Sequence, residues 1–171
     1  VSGTTADGKA FAVSFSNGKM TSWKFDGENI IAQGPDFNSY RKVDNDRNFS
    51  PDFTNSTSVS VTGALAKSGN NATMSVSGYA YSCSYTIDYT FYADATVDMK
   101  VTFSPSGNLA RMGLGMQFAQ GMEDVEYYGR GPWSNYSDRN TGSFLGRYQT
   151  TVDDMVDEMI HPQTYGLRMN H

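Results

Sequence analysis

Apolar residues recur at every second position along much of this chain. Tyr81, Cys83, Tyr85, Ile87, Tyr89 and Phe91 alternate with Ser82, Ser84, Thr86, Asp88 and Thr90. An extended chain turns successive side chains to opposite faces, so this run predicts a half-buried antiparallel strand. Val97, Met99, Val101 and Phe103, set against Thr96, Asp98, Lys100 and Thr102, repeat the pattern, and the short link Ala93-Asp94-Ala95 predicts a hairpin between the two. Phe11, Val13 and Phe15 open the first strand. Asn17-Gly18 supplies a tight turn with positive φ before residues 20–25, and Asp26-Gly27 is a second such turn. Val59 with Val61, and Met74 with Val76, predict two more strands joined by the polar turn Ser68-Gly69-Asn70-Asn71.

Met112, Leu114, Met116 and Phe118 alternate with Arg111, Gly113, Gly115 and Gln117, which leaves the second face almost without bulk. Another backbone or a ligand could approach there, although a bend or bulge in a curved sheet is the simpler expectation. Residues 34–52 show neither the strand nor the helix period, yet hold Pro35, Phe37, Tyr40, Phe49 and Pro51. Such a segment is expected to be functional or packed on another domain. Only residues 152–160 suggest a helical turn or two, with Asp153, Asp154, Asp157 and Glu158 on a solvated side. Eight to ten strands and no long helix predict an all-β antiparallel sandwich.

Composition narrows this picture. A chain of 171 residues is expected to form a single domain over residues 1–171. Its charged fraction, 18%, is low, with hydroxyl, Gly, Asn and aromatic residues in its place. The net charge of −5 opposes a nucleic-acid backbone or an anionic membrane, so neither is an expected partner. The lone Cys83 excludes an internal disulfide and a Cys-x-x-Cys metal site, and the sequence holds no apolar run long enough to span a bilayer as a helix. The sequence does not fix the compartment; a bacterial cytoplasm or periplasm is the expectation.

Chemical signatures are sparse. There is no phosphate-binding glycine loop, and the two histidines, His161 and His171, both fall in the last eleven residues, with no Gly-x-Ser-x-Gly elbow to serve. Paired carboxylates could carry sugar hydrolysis, and the candidates are Asp44 with Asp46, Glu123 with Asp124, and the 153–158 cluster. Asp44 and Asp46 also suit a cation or a hydrogen-bonded loop. Trp133, Asn135, Tyr136, Asp138 and Arg139 join an aromatic face to directional hydrogen-bonding groups, the mixture that recognises a pyranose. The same residues could equally brace a loop, with Asp and Arg tied to backbone and the aromatics filling space beneath.

Residues 128–142, Y-G-R-G-P-W-S-N-Y-S-D-R-N-T-G, resemble the Y-G-x-G-P-x-E-N-Y-x-D-R-x-x-G signature of the C-terminal small-chain module of glycoside hydrolase family 2 β-galactosidases. Ser134 stands where that signature has an acidic residue, and Ser137 where proline is common. Residues 161–168, H-P-Q-T-Y-G-L-R, resemble a later element of the family with Thr164 in place of its Glu, and residues 43–47, V-D-N-D-R, resemble an earlier loop. Residues 11–19 resemble the opening hairpin. The resemblance implies a galactose mutarotase-like super-sandwich, truncated here at its C-terminal end.

It further implies a noncatalytic accessory domain, because in the family the two catalytic glutamates belong to a separate TIM barrel. Expected partners are the barrel and β-sandwich domains of the same enzyme, a β-galactoside substrate, and further copies of the chain through an uncovered sheet edge. No cofactor or metal is expected in this chain, although the whole enzyme could use a divalent or monovalent cation. Two alternatives stay open: a stand-alone carbohydrate-binding module, and an aldose-epimerase-like enzyme using His161 with Glu126 or Asp138.

Overall fold

A computed structural model describes residues 1–38, 58–107, 109, 112–156 and 168; the side chains of Ser137 and Asp138 are not among the described features. The chain divides into two compact units, Val1–Tyr40 with Asp52–Ala119, and Arg41–Pro51 with Gln120–His171.

Among the described residues, three antiparallel sheets build the first unit. In chain order its strands are β1 (Ser2–Thr4), β2 (Ala10–Ser16), β3 (Lys19–Phe25), β4 (Glu28–Asn29), β5 (Ile31–Phe37), β6 (Ser58–Ser68), β7 (Asn71–Ala80), β8 (Cys83–Phe91), β9 (Val97–Pro105) and β10 (Leu114–Phe118). β1 to β4 form one meander, β6 to β9 another, and β5 pairs with β10. The alternation predicted for residues 83–91 and 97–103 is present, with Tyr85 opposite Phe103, Ile87 opposite Val101 and Tyr89 opposite Met99. Those inward rows face residues of the other sheets. Phe15 of β2 meets Tyr89 edge-on at 5.1 Å between centroids, and Phe37 of β5 stacks on Tyr85 at 5.4 Å. Val13, Met20, Ile31, Phe37, Val76, Ile87 and Phe91 complete a core drawn from all three sheets. Fully burying an aliphatic or aromatic side chain contributes about 1.5–3 kcal/mol, so this face-to-face layer is the main source of the unit's stability. The all-β antiparallel sandwich expected from the sequence is the architecture observed.

The turns follow local chemistry. Asn17 and Gly18 (φ 50° and 80°) and Asp26 and Gly27 (51° and 88°) adopt the paired left-handed conformations that match strand twist. Between β8 and β9, Ala95 (φ 70°) reverses the chain, and Asp94 accepts a hydrogen bond from the Thr96 amide at 2.9 Å. The β7–β8 turn departs from the expectation that Tyr81 begins a strand. Tyr81 and Ser82 both take positive φ (47° and 61°), and β8 starts at Cys83. Ser106 secures this turn, since its amide donates to the Ser82 carbonyl at 2.7 Å and its hydroxyl at 2.9 Å.

One further expectation is corrected and another holds. Residues 34–37 are not irregular but end β5, whose consecutive buried residues Gly34 and Pro35 break the alternation. The pairing of β5 with β10 shifts register twice, between Gly115 and Gln117 and between Gln117 and Phe118, so the simpler expectation of a bulge holds for the glycine-faced strand. Gly34 lies so near β3 that a Cβ there would overlap the Met20 carbonyl oxygen. Leu114 and Met116 join the core, whereas Met112, which precedes the strand, is 44% exposed, and Phe118, past the register shifts, is 56% exposed.

The second unit, so far as described, contains β11 (Asp124–Gly131) and β12 (Phe144–Thr151), an antiparallel pair joined by a loop that holds a 3-10 turn at Ser137–Gly142. The predicted helical turn appears as a single 3-10 turn, Asp153–Met155, and residues 157–160 lie outside the described residues. The Thr151 hydroxyl anchors it, donating to Asp154 Oδ2 at 2.9 Å and accepting from the Asp154 amide at 3.2 Å.

Candidate functional site

The candidate segment is the loop from β11 to β12. Its foundation is a pair of tyrosines on one face of that hairpin. Tyr127 and Tyr148 are directly opposite in register and stack at 5.4 Å with an interplanar angle of 29°. Their rings lie over Gly131, where a Cβ would overlap the Tyr127 hydroxyl. Glycine is required there by space, since its φ is unremarkable. Tyr148 donates from its hydroxyl toward two carbonyls, Phe144 at 2.8 Å and Gly131 at 3.1 Å, and so closes the mouth of the loop.

Beyond Gly131 the chain passes through a cis Gly131-Pro132 bond and then places neighbours in opposite environments. Trp133 is 61% exposed, whereas Ser134 and Asn135 are fully buried. Asn135 Nδ2 donates to the Arg130 carbonyl at 2.8 Å, and Arg130 Nη1 donates to the Ser143 carbonyl at 3.1 Å. A polar amide is tolerated at zero exposure because it is hydrogen-bonded to backbone. Tyr136 is half-buried, and its carbonyl accepts from the Arg139 amide at 2.8 Å, opening the 3-10 turn. Arg139 is exposed, and the backbone of Asp138 lies in the turn. Asp44 and Asp46 lie outside the described residues, as does His161.

Arg168 is the residue the sequence reading named only as the end of a motif. Its Nε donates to the Tyr127 hydroxyl at 3.1 Å, Nη1 to Ser134 Oγ at 3.2 Å and Nη2 to the Pro132 carbonyl at 3.0 Å. The guanidinium also sits over the Tyr127 ring at 5.7 Å from its centroid. A planar fork of donors suits such a task better than a lysine. The signal available in the sequence was an arginine closing a second family-like element, together with Ser134 in the first.

On the opposite face of the hairpin, Glu126 pairs with Arg147 and accepts from Gln149 Nε2 at 3.0 Å. The Gln149 hydrogen bond, followed by that from Arg147, holds the Glu126 carboxyl below its ordinary range. Glu123, the first of another proposed carboxylate pair, accepts from the Gly121 amide at 3.0 Å and so stabilises its own loop. Among the described residues no group of three or more His, Cys, Asp or Glu is arranged to hold a metal. None of their helices is long and apolar enough to cross a membrane.

Fold and loop together define an all-β module, an antiparallel sandwich unit accompanied by a hairpin whose connecting loop is tied internally. Residues 6–171 match the family described as Beta galactosidase small chain, and the chain belongs to that family. Curated relatives named Beta-galactosidase include those of Lactococcus lactis subsp. lactis, 35% identical over 85 residues, and Staphylococcus xylosus, 38% over 73. A third, from Vibrio cholerae serotype O1, is 36% identical over 83 residues. These alignments cover 43–48% of this chain but only 7–8% of each relative, so the chain matches a small part of a much longer enzyme.

Proposed function

We propose that this chain is a noncatalytic accessory domain of a β-galactosidase, an enzyme that removes terminal β-D-galactose residues. In this reading it packs on the catalytic barrel and borders the sugar site, and the acid and nucleophile belong to the barrel. The observation that supports it best is the division of labour within the 130–143 loop. Asn135 and Arg130 hydrogen-bond loop backbone and Ser134 is held by Arg168 from beyond the loop, while Trp133 keeps its indole outward. A rigidly held, exposed aromatic is suited to lie against the C–H face of a pyranose. Half-buried Tyr136, which precedes the 3-10 turn, and exposed Arg139 within it would offer accompanying polar contacts.

The epimerase-like alternative would pair His161 with Glu126 or Asp138, and in the first case Glu126 would serve as a base. A carboxylate held by Arg147 and Gln149 below its ordinary range is a weak proton acceptor, which disfavours that role. The test has two parts. The isolated chain should show no turnover of a chromogenic β-galactoside above a buffer blank. In the enzyme whose reading frame carries this chain, Trp133→Ala should raise KM roughly threefold to tenfold with kcat little changed, as expected for the loss of one stacking contact made equally in ground and transition states. An unchanged KM would remove Trp133 from the sugar site.

A further inference from the structure

The outer face of the β6–β9 sheet carries a shallow groove of about 360 Å³. Register places its side chains in cross-strand rows. Ser58, Tyr79, Ser84 and Ser104 form one row, and Ser60, Ser77, Thr86 and Thr102 form the next on the same face. Neighbouring strands stand about 4.8 Å apart and alternate residues about 6.8 Å apart, so the rows form a regular grid of hydroxyls. None of the ten described residues that line the groove is charged. Charge begins one row further along, where Ser75 donates to Asp88 at 2.6 Å and Asp88 stands opposite Lys100. Against the hydroxyls stands one large aromatic, Tyr79, which is 48% exposed although its neighbours across the sheet, Ser58 and Ser84, are small.

We propose that this groove is a second carbohydrate-binding surface, separate from the Trp133 loop, that takes a neutral oligosaccharide with one sugar ring against Tyr79 and its hydroxyls on the serine and threonine grid. Three features point to that ligand class. Hydroxyl side chains both donate and accept, as the hydroxyls of a sugar do, so either partner can adjust without stranding a polar group. The uncharged floor complements a neutral ligand and offers an anionic one no counter-charge. Tyr79, 48% exposed, offers ring surface for stacking. The adjoining row carries charge, with Asp88 opposite Lys100, so the uncharged character is local to the groove.

The test is an amide-resolved NMR titration of the full 171-residue chain with cellotetraose as neutral probe and tetragalacturonic acid as charged control. The expected result is cellotetraose-dependent shifts at residues 77–79, 84–86 and 102–104, and no matching response to the charged control. Tyr79→Ala should weaken binding roughly fivefold to tenfold. Ser84→Lys, at an exposed position, should abolish binding with the rest of the spectrum unchanged, and Trp133→Ala should leave it intact. Absence of any shift, shifts centred on the Trp133 loop, equal binding of the charged control, or unchanged affinity in Ser84→Lys would each overturn the proposal.

Discussion

Replacing Asn135 by alanine separates a loop brace from a sugar ligand. Asn135 has no exposed surface, and its amide nitrogen donates to the Arg130 carbonyl at 2.8 Å. The substitution removes that donor from a part-buried carbonyl, a loss of about 1–3 kcal/mol. It also leaves a small void that a tied loop cannot close. Taking about 2 kcal/mol, and a shift of about 2–4 °C per kcal/mol for a chain of this size, the thermal midpoint should fall by roughly 4–8 °C. Differential scanning calorimetry of the isolated chain reads this directly. Asn135→Asp sharpens the test, since it sets an acceptor against the Arg130 carbonyl. The buried carboxyl would have its folded pKa raised above the unfolded value, so the variant should be least perturbed in acid and lose stability as pH rises from the unfolded pKa through the folded one. A midpoint unchanged in both variants, with sugar affinity lost, would mean that Asn135 contacts ligand and does not hold the loop.

Other perturbations test the packing around this picture. Gly34→Ala would drive a Cβ into the Met20 carbonyl and should destabilise by more than the roughly 1–3 kcal/mol usual for overpacking, read as a loss of soluble expression or a large drop in midpoint. Ser82→Gly, at φ 61°, relieves a left-handed non-glycine residue and should raise stability by about 0.5–1 kcal/mol; a lower midpoint would show that the Ser82 conformation is unstrained. Because the Glu126 carboxyl is held below its ordinary range, the stabilisation from its Gln149 and Arg147 contacts is present above the unfolded pKa and lost as pH falls through the folded one. Glu126→Gln should therefore flatten the acid limb of the stability profile slightly, and high salt should mask the difference because the pair is exposed. Buried Cys83 should react with a thiol reagent only at the rate of unfolding, so fast labelling of the native chain would contradict its burial.

Where a strand has one dry and one wet face, the sequence carried its structure openly. Residues 83–91 and 97–103 alternate because their sheet is covered on one side only, and Asn17-Gly18 and Asp26-Gly27 mark turns by the conformations they alone tolerate cheaply. Legibility failed where tertiary contacts override period two. β5 buries Gly34 and Pro35 in succession because it meets β3 on one side and a bulged partner on the other, so no alternation survives. Tyr81 and Ser82 form a turn of positive φ without Gly, Asn or Asp, since the long β7–β8 ladder on either side fixes the reversal.

In the loop, composition announced a mixture of aromatic and polar groups but could not separate exposed from buried. Trp133 and Asn135 are two residues apart, yet one faces solvent and the other satisfies backbone. Arg168 reaches Pro132 across 36 residues of sequence, a contact visible only in three dimensions.

The central claim is that catalysis resides outside this chain. Its most direct test is turnover of a chromogenic β-galactoside by the purified chain, followed through a final chromatographic step. The account predicts a rate equal to the buffer blank in every fraction. A rate that co-elutes with the chain and scales with its concentration would contradict it.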